Sequence, residues 1–93
     1  MDDLRAAVKA SLARLQQVAP GRAVEVRVPP YAAVQAVPGH THRRGTPAAV
    51  VETDAQTWLA LADGSLPWAE AVRDGRVRAS GERSDLSPYL PLT

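Results

Sequence analysis

Cysteine is absent from the 93-residue chain. Disulfide staples, thiolate nucleophiles, zinc ribbons and iron–sulfur clusters are thereby excluded. Phenylalanine is absent as well, and aromatic residues make up only 4% of the chain. Alanine, valine and leucine supply most of the apolar content. Alanine buries little area, so the core should be thin for the chain length. Charge of one sign is not in excess: Lys+Arg is 11, Asp+Glu is 10, and the net charge is +1. That balance argues against a nucleic-acid footprint and a polybasic membrane anchor. No apolar run approaches the ~18 residues a bilayer span needs, so stable membrane insertion is not expected. The opening Met-Asp-Asp-Leu-Arg has neither the basic nor the apolar region of a secretory leader, and a cytoplasmic protein is expected.

What is present reads as one domain, residues 1–93. Leu4, Val8, Leu12 and Leu15 fall on one stripe and predict an amphipathic helix over 3–19. Asp2 or Asp3 serves its start, and Pro20-Gly21 stops it. Val24, Val26 and Val28 alternate with Glu25 and Arg27, as in a half-buried strand over 23–28. Pro29-Pro30 either ends that strand or bends it, and is incompatible with a primed hairpin turn. A second strand is expected over 31–37, a polar loop over 38–47 and a third strand over 48–53. Thr53 or Asp54 then starts a helix, Thr53 with Gln56 fitting a capping box, and Gly64 ends it. A second short helix opens at 65–67 with Pro67 in its first turn, and Gly75 ends it. A fourth strand over 76–80 and a short amphipathic segment carrying Leu86, Tyr89 and Leu90 complete the chain. The order α-β-β-β-α-α-β-α predicts an α+β fold: a mostly antiparallel sheet of about four strands with helices on one face.

No catalytic constellation is found. His40-Thr41-His42 is an H-x-H pair, but two ligands in a Pro/Gly-flanked loop do not make a metal site, and none is expected. Arg43 and Arg44 form the densest basic patch and are candidates for meeting a polar head group. Asp2-Asp3, and Glu82 with Asp85, read as helix-start and surface charges. The serines lack a nucleophile-elbow context, and the glycines lack phosphate-loop spacing. Trp58 and Trp68, ten residues apart, with Tyr89, are bulky core fillers in a chain without phenylalanine, walls of an apolar pocket, or both.

The C-terminal half carries a more specific pattern. Val50-Val51-Glu52-Thr53-Asp54 leads into Thr57-Trp58-Leu59-Ala60-Leu61 and Asp63-Gly64. Leu66-Pro67-Trp68-Ala69-Glu70-Ala71-Val72 and Asp74-Gly75 follow, then Val77-Arg78-Ala79-Ser80-Gly81-Glu82. The order and spacing over about 48–90 resemble the sterol carrier protein superfamily. Residues 24–30 and 44–47 extend the resemblance to the small actinobacterial sterol carrier family, over about 22–92. Glu82 stands where aspartate is usual, and the strand region is shorter. The resemblance implies a helix-covered sheet, an apolar tunnel, and a domain that binds or carries lipids or serves as a module appended to other proteins. With no catalytic constellation in the residues, a non-enzymatic domain that binds a lipid or other apolar small molecule without a cofactor is expected. Related domains follow a four-helix metal-binding domain in mycothiol-dependent isomerase-like proteins.

Magnitudes constrain such a tunnel. An empty apolar cavity of ~300 Å³ costs roughly 7 kcal/mol. A domain of this size holds about 5–14 kcal/mol in all. The pocket must therefore be small, permanently filled, or closed by another chain. The expected site is a cleft between the sheet and helices 54–63 and 66–74, with the C-terminal segment as lid. Its expected lining is Trp58, Leu61, Leu66, Trp68, Val72, Leu86, Tyr89 and Leu90. Two alternatives stand beside it: a homodimerisation or partner-protein module without a ligand, and an accessory subunit of a thiol-dependent transferase or isomerase.

Overall fold

The computed structural model describes residues 3–39, 49–81 and 84–92. Helix α1 runs over Asp3–Val18, β1 over Val24–Val28, β2 over Ala32–Ala36 and β3 over Ala49–Thr53. Helix α2 (Ala55–Asp63), α3 (Trp68–Arg73), β4 (Val77–Gly81) and a 3₁₀ turn (Ser87–Tyr89) follow. The four strands form one mixed sheet in the order β2-β1-β3-β4. The two outer pairings are antiparallel and the central β1–β3 pairing is parallel. This is the α+β architecture expected from the order of elements.

Alternation in β1 translates directly into burial. Val24, Val26 and Val28 are fully buried, while Glu25 and Arg27 lie on the opposite face, with the Arg27 Nε 2.7 Å from Glu25 Oε2. The register places Val26 opposite Val34 on one side and Val51 on the other, and Val51 opposite Ala79. This row is buried at Val26 and Val51 and opens to solvent at Ala79 on the edge strand. Val8, Leu12 and Leu15 of α1 complete the core with Trp58 and Leu61 of α2.

Pro29-Pro30 separates two neighbouring strands instead of bending one. Val28 pairs with Ala32, so the hairpin loop is Pro29-Pro30-Tyr31. The Tyr31 N–H donates to the Val28 carbonyl at 2.9 Å, and the Pro29–Pro30 peptide bond is cis. A primed turn is indeed not used.

The path from α1 into β1 depends on Gly21. Its φ is 149°, and a Cβ there would run into the Val37 carbonyl. That carbonyl accepts from Ala23 N–H at 3.0 Å, and Val37 N–H donates to Ala19 O at 2.7 Å. The turn is thereby tied to the end of β2, and Val37 itself has φ 75°. Gln16 adds to the same edge, its Nε2 donating to the Gln35 carbonyl at 3.0 Å.

Two local expectations are corrected. The N-cap of α2 is Asp54, whose side chain accepts from the Thr57 N–H, and no Thr53–Gln56 box forms. Thr53 is the last residue of β3, and its hydroxyl donates to the Arg76 carbonyl at 2.8 Å. The β3–β4 pairing takes that hydroxyl away from a capping role. Pro67 sits at the N-cap of α3, one position before the first helical residue. Among the described residues, no helix is long and apolar enough to cross a membrane.

Candidate functional site

The α2–α3 corner is shaped by backbone chemistry. Gly64 takes a left-handed conformation, φ 87°, which glycine adopts without steric cost, and its N–H returns to Leu61 O at 3.3 Å. Ser65 N–H donates to Asp63 Oδ1 at 2.8 Å, and Leu66 N–H to Ala60 O at 3.1 Å. These bonds fold Leu66 inward and start α3 at Trp68. The C-terminal segment crosses the same corner. Leu86 is fully buried, and Leu92 N–H donates to the Ala62 carbonyl at 2.8 Å. Pro91 comes so close to Gly64 that a Cβ there would stand 3.3 Å from the proline ring.

A cleft of about 260 Å³ opens between these pieces. Leu61, Leu66, Trp68 and Leu90 line it together with Gly64, Pro67, Ser87 and Pro91. Among the described residues, no lining side chain is charged and no strand contributes. The cleft therefore lies at the α2–α3–C-terminal corner, whereas the expected one lay between sheet and helices. That interior is packed with side chains: Trp58, Leu12, Leu15, Leu61 and Leu86 are among the largest fully buried ones.

Of the eight expected lining residues, the structure brings Leu61, Leu66, Trp68 and Leu90 to one cleft. Trp58 and Leu86 lie fully inside the core, and Trp58 spends its indole N–H on Ser11. Tyr89 is half-buried against the core, and Val72 is 40% exposed on α3. Arg43, Arg44 and the His40–His42 pair lie outside the described residues. Sequence reading missed Gly64, Pro67, Ser87 and Pro91 as walls. Gly64 and Pro67 read as helix punctuation in the sequence, and only the corner's fold shows that they also line the cleft.

Among the described residues, the lining offers apolar surface to bury and carries no titratable side chain. Asp54, near the other end of α2, is held below the usual carboxylate range, chiefly by the Thr57 backbone N–H. Its carboxylate caps the helix, Oδ1 accepting that N–H at 2.8 Å and Oδ2 the Thr57 hydroxyl at 2.9 Å. Among the described residues, no three His, Cys, Asp or Glu side chains are grouped so as to hold a metal ion.

No curated protein was found to match the chain. A protein-family model described as bacterial SCP ortholog matches residues 1–92. With its α+β sheet and covering helices, the chain belongs to this sterol carrier protein-like family.

Proposed function

We propose that the protein is a non-enzymatic binding domain that takes up the apolar part of a lipid or other small molecule in the α2–α3–C-terminal cleft. The observation that carries this reading is a concave, uncharged lining of leucine, tryptophan and proline in a sterol carrier protein-like chain. The mechanism is removal of ligand surface from water, at about 25 cal/mol per Å². Size limits the occupant. A cavity of ~150 Å³ holds one benzene ring, so this cleft suits a group of roughly ten heavy atoms. A longer ligand extends past the mouth into solvent.

Native and denaturing mass spectra of the purified protein, taken side by side, test this reading. A bound ligand appears as extra native mass that vanishes on denaturation. A protein that carries no extra mass and fails to bind added decanoate would overturn it.

Val72 supports a second reading. It lies one helical turn beyond Trp68 and is exposed, so the apolar surface continues out of the cleft along α3. That continuity favours a docking face for a second copy or a partner protein. A dimer mass that rises with concentration and is unchanged by delipidation would favour it.

A further inference from the structure

A second concavity, of about 230 Å³, lies at the other end of α3, away from the apolar cleft. Arg76 and Arg78 line it with Glu52, Thr53, Asp54 and Pro29. The backbone there is fixed from both sides. Arg76 N–H donates to Ala71 O at 2.9 Å and Gly75 N–H to Val72 O at 3.1 Å, while the Arg76 carbonyl accepts the Thr53 hydroxyl at 2.8 Å. The two arginines are therefore presented from a rigid turn and the first residues of an edge strand.

Charge accounting sets this place apart from an ordinary solvated surface. Asp54 is committed: both carboxylate oxygens accept from Thr57, and its charge sits on the N-terminus of α2, whose dipole offsets it. Arg27 has its own partner in Glu25 at 2.7 Å. Glu52 stands in register between Arg27 and Arg78. Among the described residues, neither Arg76 nor Arg78 has a carboxylate oxygen within ion-pair distance, and neither does Glu52 have a cation. Two guanidinium forks, neither with a carboxylate oxygen at ion-pair distance, thus line one concavity with the carboxylates of Asp54, which the Arg76 charge helps to stabilise, and of Glu52, which faces Arg27 as well as Arg78.

We propose that Arg76 and Arg78 form an anion site that takes a terminal phosphate group. A carboxylate presents two oxygens and saturates one fork. A terminal phosphate presents three, and a dianion can accept from both forks at once. The phosphate can be free or the head group of a lipid, and the site stands independently of the apolar cleft.

Amide and arginine Nε–H resonances of ¹⁵N-labelled protein, titrated with sodium phosphate at low ionic strength, test the proposal. Sodium chloride at matched ionic strength is the control. Saturable shifts at Gly75, Arg76 and Arg78 are expected with phosphate and not with chloride. Arg76→Ala and Arg78→Ala should each weaken binding at least about tenfold, because each removes charge-assisted hydrogen bonds. Glu52→Gln should tighten binding, because it removes the opposing charge. Arg76 and Arg78 are exposed and Glu52 is half-buried, and thermal melts of the variants check that the fold is kept. Shifts that are absent, that match chloride, or that survive Arg76→Ala/Arg78→Ala overturn the proposal. Vesicles of phosphatidylcholine with and without phosphatidic acid then separate the sources. Co-sedimentation only with phosphatidic acid, lost in the double variant, assigns a lipid head group; saturable phosphate binding without co-sedimentation assigns a free phosphate.

Discussion

The indole Nε1–H of Trp58 donates a 2.7 Å hydrogen bond to the hydroxyl of Ser11, joining α2 to α1 across 47 residues of sequence. Ser11 in turn donates to the Val8 carbonyl at 2.8 Å, so its hydroxyl is used in both directions. Trp58 has no exposed surface, and its indole N–H relies on Ser11 as its partner. Ser11→Ala should therefore cost about 1–3 kcal/mol, the price of one unsatisfied buried donor. Trp58→Ala should cost about 3–5 kcal/mol through the cavity it leaves. Urea unfolding of both variants, and of Ser11→Ala/Trp58→Phe, checks this. In the Trp58→Phe background the serine substitution should lose most of its effect, since the stranded donor is gone.

Gly21 offers a sharper steric test. Any Cβ there meets the Val37 carbonyl, and φ lies in the glycine region. Gly21→Ala should destabilise by more than about 1 kcal/mol, although alanine lowers the entropy of the unfolded chain. For a chain of this length that lowers Tm by at least about 4–8 °C, read by circular dichroism. Gly75→Ala is the comparison. It also has positive φ, 75°, but a Cβ there meets nothing within 4 Å. The smaller loss should be at Gly75.

The cap of α2 makes stability depend on pH. The Asp54 pKa is lowered in the folded state, with the Thr57 backbone N–H as the main cause. The stabilisation is therefore fully present above the unfolded value of ~3.9 and is lost as pH falls through the lower folded value. Asp54→Ala should cost about 1 kcal/mol at neutral pH, and Asp54→Asn less, because asparagine also caps. Denaturation midpoints of wild type and Asp54→Asn should converge as pH falls from the unfolded pKa through the lower folded one. Parallel curves over that range would count against the cap as their source.

The apolar cleft and the exposed α3 surface separate by mutation. Trp68→Ala should weaken decanoate binding about tenfold, or 1.4 kcal/mol, as read by native mass spectrometry. Val72→Asp should leave that binding unchanged, since Val72 does not line the cleft. If the α3 surface docks a second copy, Val72→Asp should shift the mass measured by light scattering to the monomer.

Much of the local structure was legible in the residues. Val24, Val26 and Val28 announce β1, and the stripe of Leu4, Val8, Leu12 and Leu15 announces α1 within one residue of its observed end. Gly64 and Gly75 mark helix ends because both take positive φ. The cap of α2 was narrowed to two residues and the choice went to Asp54, because the neighbouring strand claims the Thr53 hydroxyl. Of the candidate cleft, Leu61, Leu66, Trp68 and Leu90 were among the named residues, while its glycine and proline walls were not.

By itself the sequence determined which segments are helical or extended, since periodicity and the backbone limits of glycine and proline act within a few residues. Only the tertiary structure decided that β1 runs parallel to β3, that Trp58 is core and Trp68 lines a cleft, and that Arg76 and Arg78 line a concavity with Glu52 and Asp54. Trp58 and Trp68 belong to the same residue type on adjacent short helices. What separates them is which distant segment arrives to cover each: α1 brings Ser11 to Trp58, and the C-terminal segment passes beside Trp68 and leaves a gap. Burial depends on the area that remote parts of the chain remove from water, and no local pattern carries that information.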